Sequence, residues 1–441
     1  MGSLSNLLIS KIFLCIPEFH SHNEAMKKSI FGLVFLSTTC FTGLGFAGGL
    51  DLTTTYSSRI SAMGGGHISL ATDAHAPYYN PAAMSFVNRF AFTANFFPLI
   101  YQNEAPVGAD DALKKSKMSV APLFYAGAVY RVHDRVHLGL AVYPTALQGQ
   151  SYSGVDYNDN DLQDLELSIR LMRIEIAPSI SVRLLEKLSA GASYRIGYTQ
   201  YDKKAGVFAS TGQPGGSFLD TTVNSWDAKG FKFGLHLEDL HGFSLGVSYR
   251  LQQKLTLSGT TKVAGTPIET KQFVTIPMRL EVGSSYRFWN ERLTAAVSYA
   301  FTQNSKITFD DTQITGFPPE STRQPLQYRD GHSFYAGMDY RHPLSESRSF
   351  RVGAGYSLDT AVTNKRYPSP VLPPDAAYHG ANIGGGYSFG NHEIGLSVNY
   401  GGYSSTTTER GTDPAPIDQT IFLGKYSTRS LGLVLDYQMS F

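Results

Sequence analysis

Charge is scarce in this chain, cysteine is nearly absent, and long apolar blocks are missing. Only 17% of the 441 residues are Asp, Glu, Lys or Arg, against about 25% in an ordinary soluble domain. A helical membrane protein needs runs of about 20 apolar residues, and one stretch alone, from Ser29 to Ala47, comes near that. The two cysteines, Cys15 and Cys40, both precede Gly48. A chain processed after Ala47 therefore has no disulfide framework, thiol nucleophile or cysteine metal site. No net charge of one sign is present either. Without the three Lys and two Glu of residues 1–47, the 37 basic and 36 acidic residues become 34 of each. Nothing in that balance points to nucleic acid. Aromatics are the exception to scarcity, at 12% with 26 Tyr and 27 Phe, which argues against disorder. Mean hydropathy is nonetheless only −0.15. The apolar residues must be interleaved with polar ones.

Lys27 and Lys28 precede an apolar stretch from Ile30 to Leu36, and Gly45-Phe46-Ala47 precedes Gly48. This is the layout of a secretory signal peptide. The expected organisation is an upstream extension over 1–25 with Met26 as the start, a signal peptide over 26–47, a small-residue segment over 48–87, and the main domain over 88–441. In that domain large apolar residues recur every second position, the strand period. Leu431, Leu433, Leu435, Tyr437, Met439 and Phe441 oppose Ser430, Gly432, Asp436, Gln438 and Ser440. The same alternation runs through 243–252, 293–302, 350–358 and 394–400.

Fourteen strands are expected, near 89–98, 118–131, 136–147, 166–185, 188–204, 224–238, 243–260, 271–288, 291–309, 328–342, 348–359, 377–389, 392–406 and 425–441. The connections alternate between two- to five-residue turns and long loops, as in outer-membrane barrels and unlike a sandwich. An all-β, fourteen-stranded antiparallel transmembrane β-barrel is the expected fold. Tyr130, Tyr143, Tyr194, Tyr249, Tyr286, Tyr340, Tyr387 and Tyr437 near strand ends fit aromatic girdles. Ile169 and Leu171 are out of phase with Ile174, Ile176 and Ile180, which predicts a bulge in that strand. A barrel this wide is not filled by its own side chains. The segment 48–87, rich in Gly, Ser, Thr, Ala and Asp, is expected to fold into the lumen as a plug, with Asn80-Pro81 making a tight return to the first strand; the alternative is a disordered periplasmic tail.

That segment carries a resemblance. Tyr56-Ser57-Ser58, Ser61-Ala62-Met63-Gly64-Gly65-Gly66, Asp73-Ala74 and Asn80-Pro81-Ala82-Ala83-Met84 resemble the N-terminal hatch of the FadL/TodX family, with Asn80, Pro81 and Ala82 as the most specific element. The strand count, the signal peptide and the terminal Phe441, which resembles the signal read by the outer-membrane assembly machinery, agree with it. The resemblance implies a bacterial outer-membrane channel for passive uptake of long-chain fatty acids or other hydrophobic compounds such as aromatic hydrocarbons. It implies capture by surface loops, passage through an apolar pocket past the hatch, and exit through a gap in the wall. Outer-membrane lipids and lipopolysaccharide are the expected surroundings, a monomer the expected state, and no cofactor, metal or nucleic acid is implied. The alternative is a similar barrel acting as a surface adhesin, antigen or secretion-associated binding scaffold.

Catalytic signals are weak. Gly64-Gly65-Gly66-His67 lacks the Gly-Lys-Ser/Thr ending of a phosphate loop, and no Gly-x-Ser-x-Gly elbow occurs, so no enzyme activity is expected. His133 and His137 flank Asp134 at a turn and read as a solvated turn sooner than as a metal site. Arg195, Arg250, Arg279 and Glu281 fall in the inward phase of their strands, because Arg on the lipid face at mid-bilayer costs about 2–4 kcal/mol. Arg279, Arg250 and Arg195 are the candidate ligand-binding residues, Arg279 first, since Ile276, Met278, Leu280 and Val282 would then face lipid. Arg323 and Arg329 are weaker candidates. If Glu281 pairs with Arg279, an uncharged ligand is favoured.

Overall fold

The computed structural model describes residues 55–108, 111–155, 165–207, 217–263, 265–318, 323–372, 374–408 and 423–441. The expected upstream extension, the signal peptide and residues 48–54 lie outside the described residues. Two short helices come first, α1 (Ser58–Ala62) and α2 (Ala76–Tyr79), then a 3-10 helix (Pro81–Phe86). The strands follow: β1 (Phe90–Ala105), β2 (Lys114–Lys115), β3 (Ser119–His133), β4 (Val136–Val155), β5 (Leu165–Arg183), β6 (Leu188–Val207), β7 (Ser217–Leu240), β8 (Phe243–Arg250), β9 (Gln253–Val263), β10 (Thr266–Ile276), β11 (Arg279–Phe288), β12 (Leu293–Thr302), β13 (Phe309–Ile314), β14 (Arg323–Pro325), β15 (Gly331–Ser345), β16 (Arg348–Asp359), β17 (Tyr378–Phe389), β18 (His392–Thr407) and β19 (Gly424–Ser440).

Three neighbouring wall strands are each in two pieces, β8 with β9, β10 with β11, and β12 with β13; β2 and β14 belong to loops. The wall therefore has fourteen strands, all antiparallel to their neighbours. It closes where β1 meets β19, in register from Ala91↔Ser440 to Glu104↔Ser427. Phe441 N–H donates to the Phe90 carbonyl at 2.8 Å, so the last residue seals the seam. Closure is demanded by the bilayer, in which each unsatisfied backbone group would cost several kcal/mol. Outward residues make the apolar band, Val297, Ile383 and Leu435 among them, all more than half exposed. The two tryptophans, Trp226 and Trp289, are both 66% exposed and stand against Tyr198 and Tyr340. Of the tyrosines expected in the girdles, Tyr143 is instead buried inside.

Strand boundaries differ from expectation mainly on the long-loop side. β1 runs to Ala105 and β7 begins at Ser217, because polar residues such as Gln102, Asn103, Glu104, Asp220, Thr221 and Thr222 go on pairing beyond the apolar band. The expected bulge in β5 is absent. β5 keeps one register against β6 from Ser168↔Lys204 to Arg183↔Ser189. The shift lies in β4, between Pro144 and Ala146. Ile169 and Leu171 change phase because they face the lumen, whereas Ile180 faces out. Ile276, expected to face lipid, is also buried inside. The break at Pro277-Met278 turns the chain by one face.

Residues 55–87 are enclosed by the wall. They contact β4, β5, β6, β7 and β15 to β19 around the circumference. Small residues make this approach feasible. A Cβ on Gly191 would lie 2.5 Å from the Pro81 carbonyl carbon. One on Gly127 would lie 2.6 Å from the Ala74 oxygen, and one on Gly355 would overlap the Met63 carbonyl. Asn80 is extended, caps the 3-10 helix by accepting from Ala82 N–H at 3.1 Å, and donates to the Leu235 carbonyl at 2.9 Å. The return to β1 is thus spread over a helical turn and residues 87–89; it is not a tight turn at Asn80-Pro81. Proline fits there because the first helical position needs no N–H. Overpacking costs about 1–3 kcal/mol, so Gly355→Val is expected to displace α1 while the barrel stays folded. The check is limited proteolysis, which should now cut within 55–87, together with unchanged heat-modifiable gel mobility of the barrel.

Candidate functional site

The lumen has three layers, and the order follows from how each strand meets it. Farthest from the short turns lies an apolar chamber. Leu171, Val223, Leu255, Leu257, Val274 and Ile276 form one buried cluster there with Tyr201 and Ala146, and Val371 and Leu372 pack against it. Two devices turn apolar side chains inward. In β5 the backbone stays in phase and the sequence switches. In β7, at the bulge opposite Arg195 to Gly197, and at the β8–β9 and β10–β11 breaks, the sequence alternation continues and the backbone rotates. Apolar positions that face lipid below, such as Phe233, Val247 and Val282, become lumenal above, as in Val223, Leu255 and Val274.

Beneath the chamber is a belt of ionic groups. Arg195 donates to both oxygens of Glu175, at 2.7 and 2.6 Å. Arg173, fully buried, donates to Glu175 at 2.8 Å, Asp227 at 2.6 Å and Thr199 at 2.7 Å. Arg279 donates to Glu281 at 3.1 Å, Thr302 at 3.0 Å and Tyr335 at 3.4 Å. Lys232 reaches the same Glu281 at 3.1 Å and the Tyr78 carbonyl at 2.6 Å. Arg250 donates to the Pro277 carbonyl at 3.0 Å. All three arginines expected to face inward are buried there, and carboxylates hold Arg195 and Arg279. Arg173, Arg195, Lys232 and Arg279 share Glu175, Asp227, Glu281 and the nearby Asp359. Stripping one partner from such a buried pair costs about 3–5 kcal/mol. Arg329 instead pairs with Asp375 in a loop, half-exposed.

The lowest layer is the enclosed segment, anchored on Asp436. That carboxylate accepts from Ser58 N–H at 3.0 Å, Ser58 Oγ at 3.2 Å and Thr93 Oγ1 at 3.0 Å, and lies 3.6 Å from His75 Nε2. His75 Nδ1 is 3.0 Å from Asp73. Burial alone would lower the His75 pKa, but Asp73 and Asp436 outweigh it and raise it above 6.5. Burial wins at His67, which faces Ser298 and the Met63 carbonyl without a carboxylate partner and is lowered to about 4. Arg59 crosses to Asp339 at 3.0 Å. Of the turn histidines, His133 stays at the surface, whereas His137 points inward to the Val87 carbonyl at 2.9 Å.

From the level of the belt upward the wall comes apart between β3 and β4. β3 and β4 pair only from His133↔Val136 to Ala126↔Val142. Beyond that, Ser119 to Tyr125 stay paired to β1 and β4 stays paired to β5. Pro122 and Pro144, which have no N–H to leave unpaired, flank the opening. Tyr101 and Ser119 bridge to Gly149 at 2.7 and 2.8 Å and close its far end. The gap is backed by rings. Tyr56 sits 5.4 Å from Tyr125 and 5.9 Å from Tyr143, and Tyr78 sits 4.9 Å from Tyr143. The Tyr56 hydroxyl donates to the Pro144 carbonyl.

Residues 38–441 match the family model for outer membrane protein transport proteins (OMPP1/FadL/TodX). The chain belongs to this family. It is accordingly a bacterial outer-membrane protein. A Pseudomonas aeruginosa FadL homologue superimposes with a TM-score of 0.73 at 16% identity, over 89% of this chain and 99% of that one. The toluene transporter TodX of Pseudomonas putida gives 0.66 at 19%, over 88% and 99%. The toluene transporter TbuX of Ralstonia pickettii gives 0.61 at 18%, over 88% and 99%. At these identities the likenesses establish the fold. Among curated proteins, none matches the chain.

Sequence reasoning missed Arg173, Glu175 and Asp227, and the tyrosines behind the gap. The signal for the first two was present, since they sit where the alternation of β5 changes phase. No local signal marks Tyr143, whose ring partners include Tyr56, 87 residues upstream, and Tyr78.

The His75 contact carries a pH dependence with a definite sign. A histidine whose folded pKa is raised stabilises the docked segment fully below about 6.5. That contribution disappears as pH rises through the raised value. Protease sensitivity of residues 55–87 is therefore expected to increase from pH 6 toward alkaline pH in the wild type. In Asp436→Asn the segment should already be loosened at pH 6 and the pH response reduced, read by the same digestion series.

Proposed function

We propose that this family member is a passive outer-membrane channel for hydrophobic small molecules such as long-chain fatty acids or monoaromatic hydrocarbons. The single observation that carries this reading is the apolar chamber inside the barrel. A scaffold or adhesin has no need of it, and a water-filled diffusion pore is better served by polar walls. Apolar side chains turned away from lipid, where they would be equally content, make sense when something apolar must occupy the lumen.

In this reading the ligand enters the chamber from the long-loop side and loses its water shell there. Its path onward is blocked by the belt and by residues 55–87, which act as a hatch. Movement of the hatch around Tyr56 and Tyr78 exposes the gap between β3 and β4, and the ligand leaves sideways into the membrane. No energy input is needed for downhill movement. No catalytic step is involved, and the Asn80-Pro81-Ala82 element serves as the hatch's fixed end. An anionic head is met by the belt, with Arg279 first, because its guanidinium presents a planar bidentate donor.

Uptake of a labelled fatty acid and of a labelled monoaromatic hydrocarbon into proteoliposomes tests the reading; rates equal to protein-free vesicles for both would end it. Deleting Thr145, the extra residue of the β4 shift, is expected to zip β3 to β4, leaving ligand binding intact and uptake at the protein-free rate. Removing residues 48–87 is expected to raise single-channel conductance in planar bilayers. For Arg279→Ala, loss of a charge-assisted contact worth about 1.5–3 kcal/mol predicts at least about a tenfold drop in fatty-acid affinity and little change for a matched alkane. Equal changes for both ligands would remove Arg279 from the head-group site.

A further inference from the structure

The wall has a second irregularity, six strands from the β3–β4 gap. β10 pairs β13 up to Phe273↔Asp311, and β11 pairs β12 from Arg279↔Thr302. Between these points residues 274–278 on one side face 303–310 on the other, so five residues oppose eight. The surplus forms a 3-10 turn, Asn304–Lys306. Its backbone is then tied to the loop that follows. Leu326 and Gln327 N–H donate to the Thr308 carbonyl at 2.9 and 3.1 Å, and Tyr328 N–H donates to the Ile307 carbonyl at 3.2 Å.

A cavity of about 140 Å³ occupies the interval, and its lining comes from both faces of the sheet. Ile169, Tyr201 and Val274 belong to the lumenal cluster of the chamber. Phe273 and Phe309 alternate with the inward Gln272, Val274 and Asp310 and are each over one-third exposed on the outside. A space touched by both sets passes through the wall into the chamber. Its height follows from its neighbours. The outward Tyr299, bonded to His332 at 2.8 Å, stands near the long-loop end of β12, and residues 303–310 lie beyond it. Ser305, Lys306 and Thr308 are exposed there. An exposed lysine is costly in hydrocarbon, so the mouth opens above the apolar band, in the polar surface layer.

The charged groups along this passage are engaged by the protein or stand on its outer side. Asp310 accepts from Lys203 at 2.8 Å, Gln272 at 2.8 Å and Tyr201 at 3.3 Å. Asp311 shares the outward phase of Phe309, and Lys306 is exposed. Apolar surfaces of Val274, Ile307, Leu326 and Leu372 remain for a ligand. The volume is close to that of an apolar cavity of about 150 Å³ that accepts benzene, so one ring fits. The loop after β16 lays Val371 and Leu372 against the chamber, which leaves the side passage as the shorter way in.

We propose that this opening is a side entrance to the chamber for one-ring hydrocarbons. They arrive from the polar surface layer beside the barrel, pass between Phe273 and Phe309, and meet Val274 and Ile169 inside. The proposal rests on the channel reading above and gives it a point of entry; the β3–β4 gap remains the way out.

A removable-by-design cap tests it. Phe309→Cys supplies a single thiol in a chain processed after Ala47, since both native cysteines precede Gly48. A bulky sulfonated maleimide attached there in detergent covers the mouth from outside without entering the chamber. Uptake of radiolabelled toluene into proteoliposomes and toluene binding by calorimetry are compared with and without the label. Unlabelled Phe309→Cys should take up toluene at least as fast as wild type. Labelling should slow uptake about tenfold, within the range over which association rates move, and leave equilibrium binding unchanged. The same label on Phe317→Cys, exposed on the adjoining loop, should change neither. Labelled Phe309→Cys that takes up toluene at the unlabelled rate, or that loses binding in proportion to uptake, would overturn the proposal, as would equal slowing from labelled Phe317→Cys. In each of these cases wild-type uptake above that of protein-free vesicles leaves the channel reading standing. Wild-type uptake at the protein-free rate ends both.

Discussion

The demand that no backbone N–H or C=O be left unpaired in hydrocarbon governs this molecule. It forces a closed sheet, and the sheet's closure sets the terms for every irregularity that follows. β1 and β19 must find each other across almost the whole chain, and their register over twelve residue pairs is the longest-range commitment in the fold. Departures from perfect pairing are then confined to places where something other than lipid can answer them. At the β3–β4 gap, proline removes donors, and Tyr101, Ser119 and Tyr56 supply side-chain bonds to Gly149 and Pro144. At the 303–310 surplus, the 3-10 turn and bonds from Leu326, Gln327 and Tyr328 to Thr308 and Ile307 satisfy the detour.

A closed wall of this girth creates a second obligation, which is to fill its middle. The enclosed segment does so with backbone as much as with side chains, and the barrel answers with glycine wherever that backbone arrives. Gly127, Gly191 and Gly355 come from three different strands, yet each faces a main-chain atom of residues 55–87. Such matching makes the segment a fitted part of the interior and leaves little slack for it to slide. Polar contacts then decide how firmly it is held. Asp436, on the closing strand, gathers Ser58, His75 and Thr93 at one carboxylate, so the seam of the barrel and the seat of the segment share an anchor.

Much of this was legible in the sequence because period-two alternation is enforced by lipid on one side. The fourteen strands, the alternation of short turns with long loops and the inward phase of Arg195, Arg250 and Arg279 all follow from that single pattern. What the pattern cannot convey is a change in which face is wet. Leu255 continues the spacing of Tyr249 and Val247, and Val274 and Ile276 continue that of Met278 and Leu280, so the series looks uninterrupted. Only the breaks at Leu251-Gln252 and Pro277-Met278 reveal that the upper half has been turned inward. β5 presented the opposite case, a visible phase change with no bulge behind it. In both, hydrophobicity reports burial from water without reporting whether lipid or lumen provides it.

That ambiguity is itself informative about how a barrel acquires a cargo site. To line a chamber with apolar residues, a strand needs no new residue types. A one-residue slip or kink transfers the existing lipid-facing series to the interior, and the polar series goes out toward water above the membrane. The transfer is safe only beyond the apolar band, since below it the displaced polar residues would meet hydrocarbon. The chamber must therefore sit high, and whatever it holds must still pass the ionic belt and the enclosed segment beneath. Arg173 and Glu175 mark the height at which the inversion begins. There the lumen changes from a surface that excludes water to one that must be hydrogen-bonded at every atom, and an apolar ligand gains nothing by going further down the axis. A sideways exit at the level of the β3–β4 gap is then the shorter path back to an apolar medium.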